Sequence, residues 1–336
     1  MDQSSPAAER FRHEALFYST WSEFVDGTVP FIRDGLASGE PVLVVESPAK
    51  IEALRAALDA DADRVFFADM SVVGANPARI IPAWQDFVSR YQQPGKSLRG
   101  IGEPIWSARP ADELSECQRH ESLLNVAFGQ GRPWSLLCPY DTATLGKAVL
   151  DEALRSHEFV IEGGSVRKSD WFRGIDACAA PFTVELPASP APPLGEWTIG
   201  REGLRQVRDL VTMHALAAGL GESRTQHLVT SVNEVATNSI LHGGGTAAVR
   251  MWCHNARVSC EVRDRGAFDK PLVDREAPGP DRSSPRGLWL ANQLCDLVQI
   301  RTIGDETTVR LHMRLDPWPA LRLLPSDRPS PPSTAN

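Results

Sequence analysis

Between Ala180 and Pro193 the chain reads Ala-Pro-Phe-Thr-Val-Glu-Leu-Pro-Ala-Ser-Pro-Ala-Pro-Pro, and this stretch constrains everything on either side of it. Proline lacks an amide hydrogen and fixes φ, so no helix can run through the segment, and its later part favours extended backbone. The 336 residues therefore divide into two parts, each of ordinary domain size. We expect a first domain over 1–168, a linker over 169–194 and a second domain over 195–316. A further proline-dense stretch from Pro317, with Pro319, Pro325, Pro329, Pro331 and Pro332, predicts a disordered tail over 317–336.

The first part alternates apolar runs with helical stretches. The runs are Val42 to Val45, Val65 to Ala68, Leu98 to Ile101 and Trp134 to Cys138; the helical stretches fall near 48–59, 77–92, 112–129 and 142–156. Near-continuous apolar strands between helices predict a doubly wound α/β domain, a parallel sheet covered on both faces. Ligand sites in such sheets form beyond the carboxyl ends of the strands. Those ends carry Glu46, Asp69, Glu103 and Asp141. Two readings stand side by side: four carboxylates gathered for a cationic, hydroxylated or metal-bound ligand, or ordinary helix caps left in solvent.

In the second part a helix over 201–219 presents Leu204, Val207, Val211 and Leu216 on one face. Ser223-x-x-Gln226 fits a capping box that opens a second helix running to about His242. Alternation at Val249, Met251, Cys253 and, past a turn at Asn255, at Val258, Cys260 and Val262 predicts an antiparallel pair. A helix over 287–296 and strands over 297–303 and 307–315 complete an α+β sandwich. The second helix holds the chemistry: Glu234 and Asn238, four apart, project a carboxylate and an amide from one face.

Glu234-x-x-x-Asn238, then Asp264-Arg265-Gly266, then Arg286-Gly287-Leu288 after a Pro/Gly-rich gap, resemble the N-box and glycine boxes of the GHKL ATP-binding fold, and most closely those of RsbW-type anti-sigma factor kinases. The resemblance implies ATP and Mg²⁺ as ligands. Asn238 matches the metal-binding asparagine and Glu234 the general base. Asp264 matches the acceptor of the adenine amine, beside Gly266. Phe268 to Pro285 resembles the ATP lid and holds too little apolar surface to pack. Arg286, Gly287 and Leu288 open a helix whose N-terminal amides suit a phosphate. Thr307 and Thr308 match the last box. Two positions depart from the pattern: Pro285 stands where a glycine is usual, and Glu306 puts a carboxylate where the phosphates are expected.

His13-Glu14-Ala15-Leu16-Phe17-Tyr18, Gly39-Glu40-Pro41, Gly102-Glu103-Pro104 and Leu137-Cys138-Pro139-Tyr140-Asp141 resemble the MEDS sensory domain, a relative of RecA/KaiC folds. His13 and Tyr18, placed before the first strand, match its motif positions and join the sensor-site candidates. After the run at 42–45 the chain reads Glu46-Ser47-Pro48-Ala49-Lys50, without the glycines or G-K-[ST] of a phosphate loop.

The pairing of these resemblances implies a signalling regulator. The first reading is an anti-sigma factor that binds a sigma factor and phosphorylates a serine of a STAS-type anti-anti-sigma protein, under control of an unknown signal at the sensor. The alternatives are a nucleotide-gated binding module without turnover and a sensor histidine kinase. The last lacks its helical hairpin, because the proline segment occupies that place. A homodimer is expected, with the 201–219 helix a candidate contact and core packing the other explanation of its apolar face. A net charge of −8 argues against nucleic acid as a partner. Six cysteines without metal-type spacing, no apolar run near ~20 residues and no signal-like N-terminus lead us to expect a cytoplasmic protein away from membranes.

Overall fold

The computed structural model describes residues 10–129, 133–174, 184–266, 271–276 and 286–315. The expected tail at 317–336, the middle of the expected linker and Pro285 lie outside the described residues.

The first sheet contains β1 (Arg12–Tyr18), β2 (Val42–Glu46), β3 (Phe66–Asp69), β4 (Arg99–Gly102), β5 (Ser135–Asp141), β6 (Phe159–Glu162) and β7 (Ser165–Lys168). Its order is β3-β2-β4-β5-β1-β6-β7. Every pairing is parallel except that of β7, which folds back on β6 through Gly163 and Gly164, both at positive φ. The helices are α1 (Trp21–Ala37), α2 (Pro48–Leu58), the short α3 (Met70–Val73), α4 (Ile80–Tyr91), α5 (Ala111–Phe128) and α6 (Lys147–Ser156). Adjacent residues of one strand point to opposite cores. Val42 and Val44 pack with Phe24, Ile32 and Leu54 under α1 and α2, whereas Leu43 and Val45 pack with Ile81, Trp84 and Leu124 under α4 and α5.

Two elements differ from expectation. His13 and Tyr18 do not precede the first strand; they lie in β1, between β5 and β6. The polar His13-Glu14 pair hides a buried strand because both side chains find partners inside the protein. The first strand-to-helix turn is therefore Ser19-Thr20, where the Thr20 hydroxyl caps α1, rather than 46–50. Helix α1 itself carries Gly27 and Pro30, which mask its period.

The second sheet contains β8 (Gly195–Ile199), β9 (Ala247–His254), β10 (Arg257–Asp264), β11 (Leu297–Ile303) and β12 (Glu306–Arg314), in the fully antiparallel order β11-β12-β10-β9-β8. Asn255 and Ala256 turn β9 into β10 with positive φ at both. One face is covered by α7 (Leu204–Ala217), α8 (Glu222–His242) and α9 (Gly287–Leu294), through Val207, Val211, Leu228, Val232, Val235 and Leu288. Helix α8 begins after Gly221, so Ser223 lies inside it and makes no capping box. Leu216 is 43 % exposed and leaves the core face of α7 to Ala215.

The two sheets are joined by buried charge. Glu116 of α5 is fully buried and receives Arg275 (Nη2–Oε2 3.0 Å) and Arg301 of β11 (Nη1–Oε1 2.7 Å). Arg119 of α5 pairs with Asp274 at 3.2 Å, and Asp274 also pairs with Arg275 at 3.1 Å. The expectation that the lid segment cannot pack is thereby corrected for its described part, 271–276. Asp274 and Arg275 have no exposed surface, Leu272 packs on the first domain's core and Val273 on the second's. Apolar content was the wrong measure, because this segment is held by paired charges. Arg79 adds a grip on the far end of α9, donating to the carbonyls of Asn292 (2.9 Å), Gln293 (2.8 Å) and Cys295 (3.2 Å). A guanidinium there satisfies last-turn carbonyls and suits the negative end of the helix dipole.

Removing one partner of a buried ion pair leaves its counter-charge stranded, at ~3–5 kcal/mol. Glu116→Ala is expected to lower unfolding free energy by that amount, measured by urea titration of the full chain. An unchanged midpoint would mean that the pair does not hold the domains.

Candidate functional site

Helix α8 places Glu234 and Asn238 one turn apart beneath the start of α9. The contact is close because the first residue of α9 is Gly287. A Cβ there would meet Asn238 Nδ2 at 2.9 Å, Glu234 Cβ at 3.1 Å and Glu234 Oε2 at 3.3 Å. Asn238 Nδ2 is buried and has no hydrogen-bond partner among the described residues. It faces the first turn of a helix, whose leading amides also lack intrahelical acceptors. Arg286 stands exposed just before this turn. The side chain of Leu288 lies in the core, so only its backbone is available to a ligand.

Asp264, half-buried at the end of β10, sits in a notch made by two glycines. A Cβ at Gly243 would come within 2.2 Å of Asp264 Oδ1, and one at Gly266 within 2.8 Å. Its Oδ2 accepts a hydrogen bond from Ser239 Oγ at 2.5 Å, a contact the sequence pattern did not single out. Burial pushes the Asp264 carboxyl pKa up; the Ser239 hydroxyl opposes this, and the Glu306 charge adds to it. Thr307 is fully buried and donates to the Gly266 carbonyl at 2.5 Å, fixing the turn after Asp264. Thr308, next along β12, points to the opposite face. Glu306 is exposed, 3.7 Å from Arg263, and its charge acts on Asp264.

The sensor-site candidates separate into three groups. Tyr18, Glu46 and Glu103 line one pocket of about 600 Å³ with Trp21, Lys50 and Trp106. Glu103 accepts from Tyr18 Oη at 2.9 Å and from Lys50 Nζ, which also donates to Tyr18 Oη at 2.5 Å. Burial raises the pKa of both Glu46 and Glu103, and Lys50 counters it. Burial and the Glu103 charge raise that of Tyr18. Glu46 Oε1 has no hydrogen-bond partner among the described residues. Asp141 touches the pocket but also accepts from Ala143 N and Thr144 Oγ1, and Asp69 caps α3 through Ser71 N.

His13 lies elsewhere. It stacks on Phe11 and contacts Asn125, Cys138 and Glu121, on the α5 face of the sheet, whereas Tyr18 packs on the α1 face. A single site holding both His13 and Glu103 is therefore ruled out. The reason is register: five residues along one strand reverse the face. Burial, followed by the neighbouring His157, lowers the His13 pKa to about 4.

The model for MEDS, the methanogen/methylotroph, DcmR sensory domain, matches residues 12–158, and that for the histidine kinase-like ATPase domain matches 201–313. The chain joins a MEDS sensory domain to a histidine kinase-like ATPase domain. No curated protein matches the chain. An ATPase domain of this kind implies ATP, usually with Mg²⁺. The residues present fit such a ligand. The orphaned Asn238 amide lies at the Gly287 approach, and Ser239 beside it on α8 bonds Asp264 in its glycine notch. Among the described residues of the two domains no helix is long and apolar enough to cross a membrane.

A methyl group at Gly287 must displace the Glu234–Asn238 face. Overpacking of this kind costs ~1–3 kcal/mol. Gly287→Ala is expected to weaken Mg-ATP binding about 5–150-fold by calorimetry, with far-UV circular dichroism unchanged. Unchanged affinity would separate this corner from the nucleotide site.

Proposed function

We propose that the chain is an RsbW-type anti-sigma factor whose ATPase domain phosphorylates a serine of a STAS-type anti-anti-sigma protein, and whose MEDS domain sets when it does so. The observation that carries this reading is the Glu234–Asn238 face held against Gly287, a carboxylate and an amide one turn apart at the start of α9. Bound Mg-ATP would supply the γ-phosphoryl group and neutralise its charge. In our reading Asn238 holds the metal, Asp264 and Gly266 receive the adenine edge, and Arg286 with the first amides of α9 faces the phosphates. Thr307 supports the Gly266 turn, with Thr308 beside it on the strand. Glu234 takes the proton of the acceptor serine as its oxygen bonds phosphorus and the bond to ADP breaks.

A serine kinase is favoured over a histidine kinase by what precedes the ATPase domain. Residues 184–194 contain no helix and lead into β8. The three His-Glu pairs upstream, His13-Glu14, His120-Glu121 and His157-Glu158, all carry buried histidines, 3 %, 1 % and 0 % exposed, out of reach of a phosphoryl donor. The sensor's six parallel strands suit the RecA/KaiC relation, with the Tyr18–Glu103–Lys50 pocket as the place for its signal. Control would pass through 271–276, the lid segment clamped by Glu116 and Arg119. A cytoplasmic homodimer that shares a sigma-binding surface belongs to the same proposal. Its contact would be the outer face of α7, where Met213 and Leu216 are exposed.

General-base assistance is worth about 10²–10⁴-fold. Glu234→Gln is expected to bind Mg-ATP normally and to lose phosphoryl transfer to a STAS protein of the same genome by that factor, read with labelled ATP. Equal transfer by the variant would remove Glu234 from the chemistry. Asn238→Ala and Asp264→Asn are expected to lose Mg-ATP binding itself, and wild-type affinity in both would refute the site. Transfer by none, with nucleotide-dependent sigma binding intact, would point to the binding-module alternative.

A further inference from the structure

Four side chains from separate parts of the sensor domain meet on the α5 face of its sheet. They are His13 of β1, Glu121 of α5, Cys138 of β5 and His157, the residue after α6. All four are buried, and one ligand atom from each lies within 4.8 Å of the others. His13 Nε2 is 3.2 Å from Glu121 Oε2 and 3.3 Å from Cys138 Sγ, and His157 Nε2 is 3.3 Å from the same Glu121 oxygen. None of them lines the Tyr18–Glu103 pocket.

The outer hydrogen bonds settle which nitrogens carry protons. His157 Nδ1 faces the Ala153 carbonyl at 2.9 Å, which only accepts, so Nδ1 is the donor. Asn125 donates through Nδ2 to the Ser156 carbonyl at 2.7 Å, so its Oδ1, 3.2 Å from His13 Nδ1, accepts from that ring as well. In its neutral form each imidazole thus turns a bare Nε2 toward the centre. The carboxylate between them is acceptor-only when ionised. Neither Glu121 oxygen, nor His157 Nε2, has a hydrogen bond of acceptable geometry among the described residues. Among these four side chains the one donor that remains is the Cys138 thiol. Three buried acceptors facing one another with a single weak donor is an unstable arrangement, unless a positive centre lies among them.

We propose that His13, Glu121, Cys138 and His157 form a buried site for a divalent transition metal, with Zn²⁺ the best match. Zn²⁺ bonds nitrogen and oxygen at about 2.0–2.2 Å and sulfur at about 2.3 Å, which spaces the corners of its tetrahedron by roughly 3.3–3.6 Å. The three short separations, 3.2, 3.3 and 3.3 Å, lie at the lower edge of that spacing. Two imidazoles, a thiolate and one carboxylate suit a borderline-soft ion, and disfavour Mg²⁺ or Ca²⁺, which prefer oxygen alone. The Ala153 and Asn125 acceptors are the outer partners that orient metal-bound histidines. Uptake forms a metal–sulfur bond at Sγ and releases the thiol proton to solvent; the ion stays divalent, so no oxidant or reductant is needed. The ion would tie β1, β5, α6 and α5 together at the helix that also carries Glu116.

The test uses the full chain with Cys178→Ser and Cys253→Ser, stripped with a chelator and free of nucleotide. Titration with Co²⁺ is expected to saturate at one ion per chain. It should give the intense visible bands of a tetrahedral centre and a thiolate-to-cobalt charge-transfer band, and Zn²⁺ should displace both. Cys138→Ser should abolish the charge-transfer band, and Asn125→Ala should weaken Zn²⁺ binding about 10–100-fold. No uptake, or a charge-transfer band that survives Cys138→Ser, overturns the site. Should Cys138→Ser fail to fold, the parent chain decides. A charge-transfer band together with a rise in melting temperature on adding Zn²⁺ supports the site, and the lack of either overturns it.

Discussion

The contact between the two domains centres on one buried carboxylate, that of Glu116. Placing an ionised group where it has no exposed surface costs several kcal/mol, and only close opposite charge offsets that. Glu116 has three guanidinium groups within reach, from Arg119 on its own helix, Arg275 of the lid segment and Arg301 of β11. Asp274 shares two of them. The network admits little sliding, because a shift that freed one arginine would strand another charge in the interior. A greasy interface tolerates small displacements; this one has discrete partners and therefore a discrete register. Asp274 and Arg275, within the span matched to the ATPase domain, are as fully buried as core residues of the sensor.

Much of the ATPase domain was legible in the sequence because its signals are local. Helix α8 and the hairpin around Asn255 follow from periodicity and one turn residue. The Glu234–Asn238 pair needs only the helical repeat to be placed. Thr307 and Ser239 became meaningful only when β12 and α8 brought them to Gly266 and Asp264, contacts spanning 41 and 25 residues. Two expectations that differ from the structure, the position of the first strand and the packing of 271–276, share one cause. His13 is buried against Glu121, and Asp274 and Arg275 against Arg119 and Glu116. Those partners lie far away in sequence, and no window of neighbours reveals them.

Strand β1 also explains why the sensor has two polar centres rather than one. Alternation sends Tyr18 to the α1 face, where it meets Glu103 and Lys50. The same alternation sends His13 to the α5 face, where it meets Glu121, Cys138 and His157. The first centre opens on a pocket and the second is closed. A ligand entering the pocket would push on the end of the strand whose other end anchors the closed cluster. The cluster in turn reaches α5 through Glu121, five residues from Glu116.

Helix α9 carries the argument across the domain boundary. Its first residue, Gly287, rests on Glu234 and Asn238, and its last carbonyls are held by Arg79 and Asn76 of the sensor domain. Eight residues at 1.5 Å each make it only ~12 Å long, a rigid rod between the two. Asn292 on the same helix donates to the Asp274 carbonyl at 3.0 Å, so the rod is also tied to the lid segment. A change in α5 or in the Pro77–Arg79 turn would therefore be felt at the Gly287 end. That end touches Glu234 and Asn238 without flexible chain in between. Coupling of this kind is reciprocal. If the sensor biases the nucleotide corner, nucleotide must bias the sensor's affinity for its signal by the same factor, and the two binding events can be read against each other in one titration.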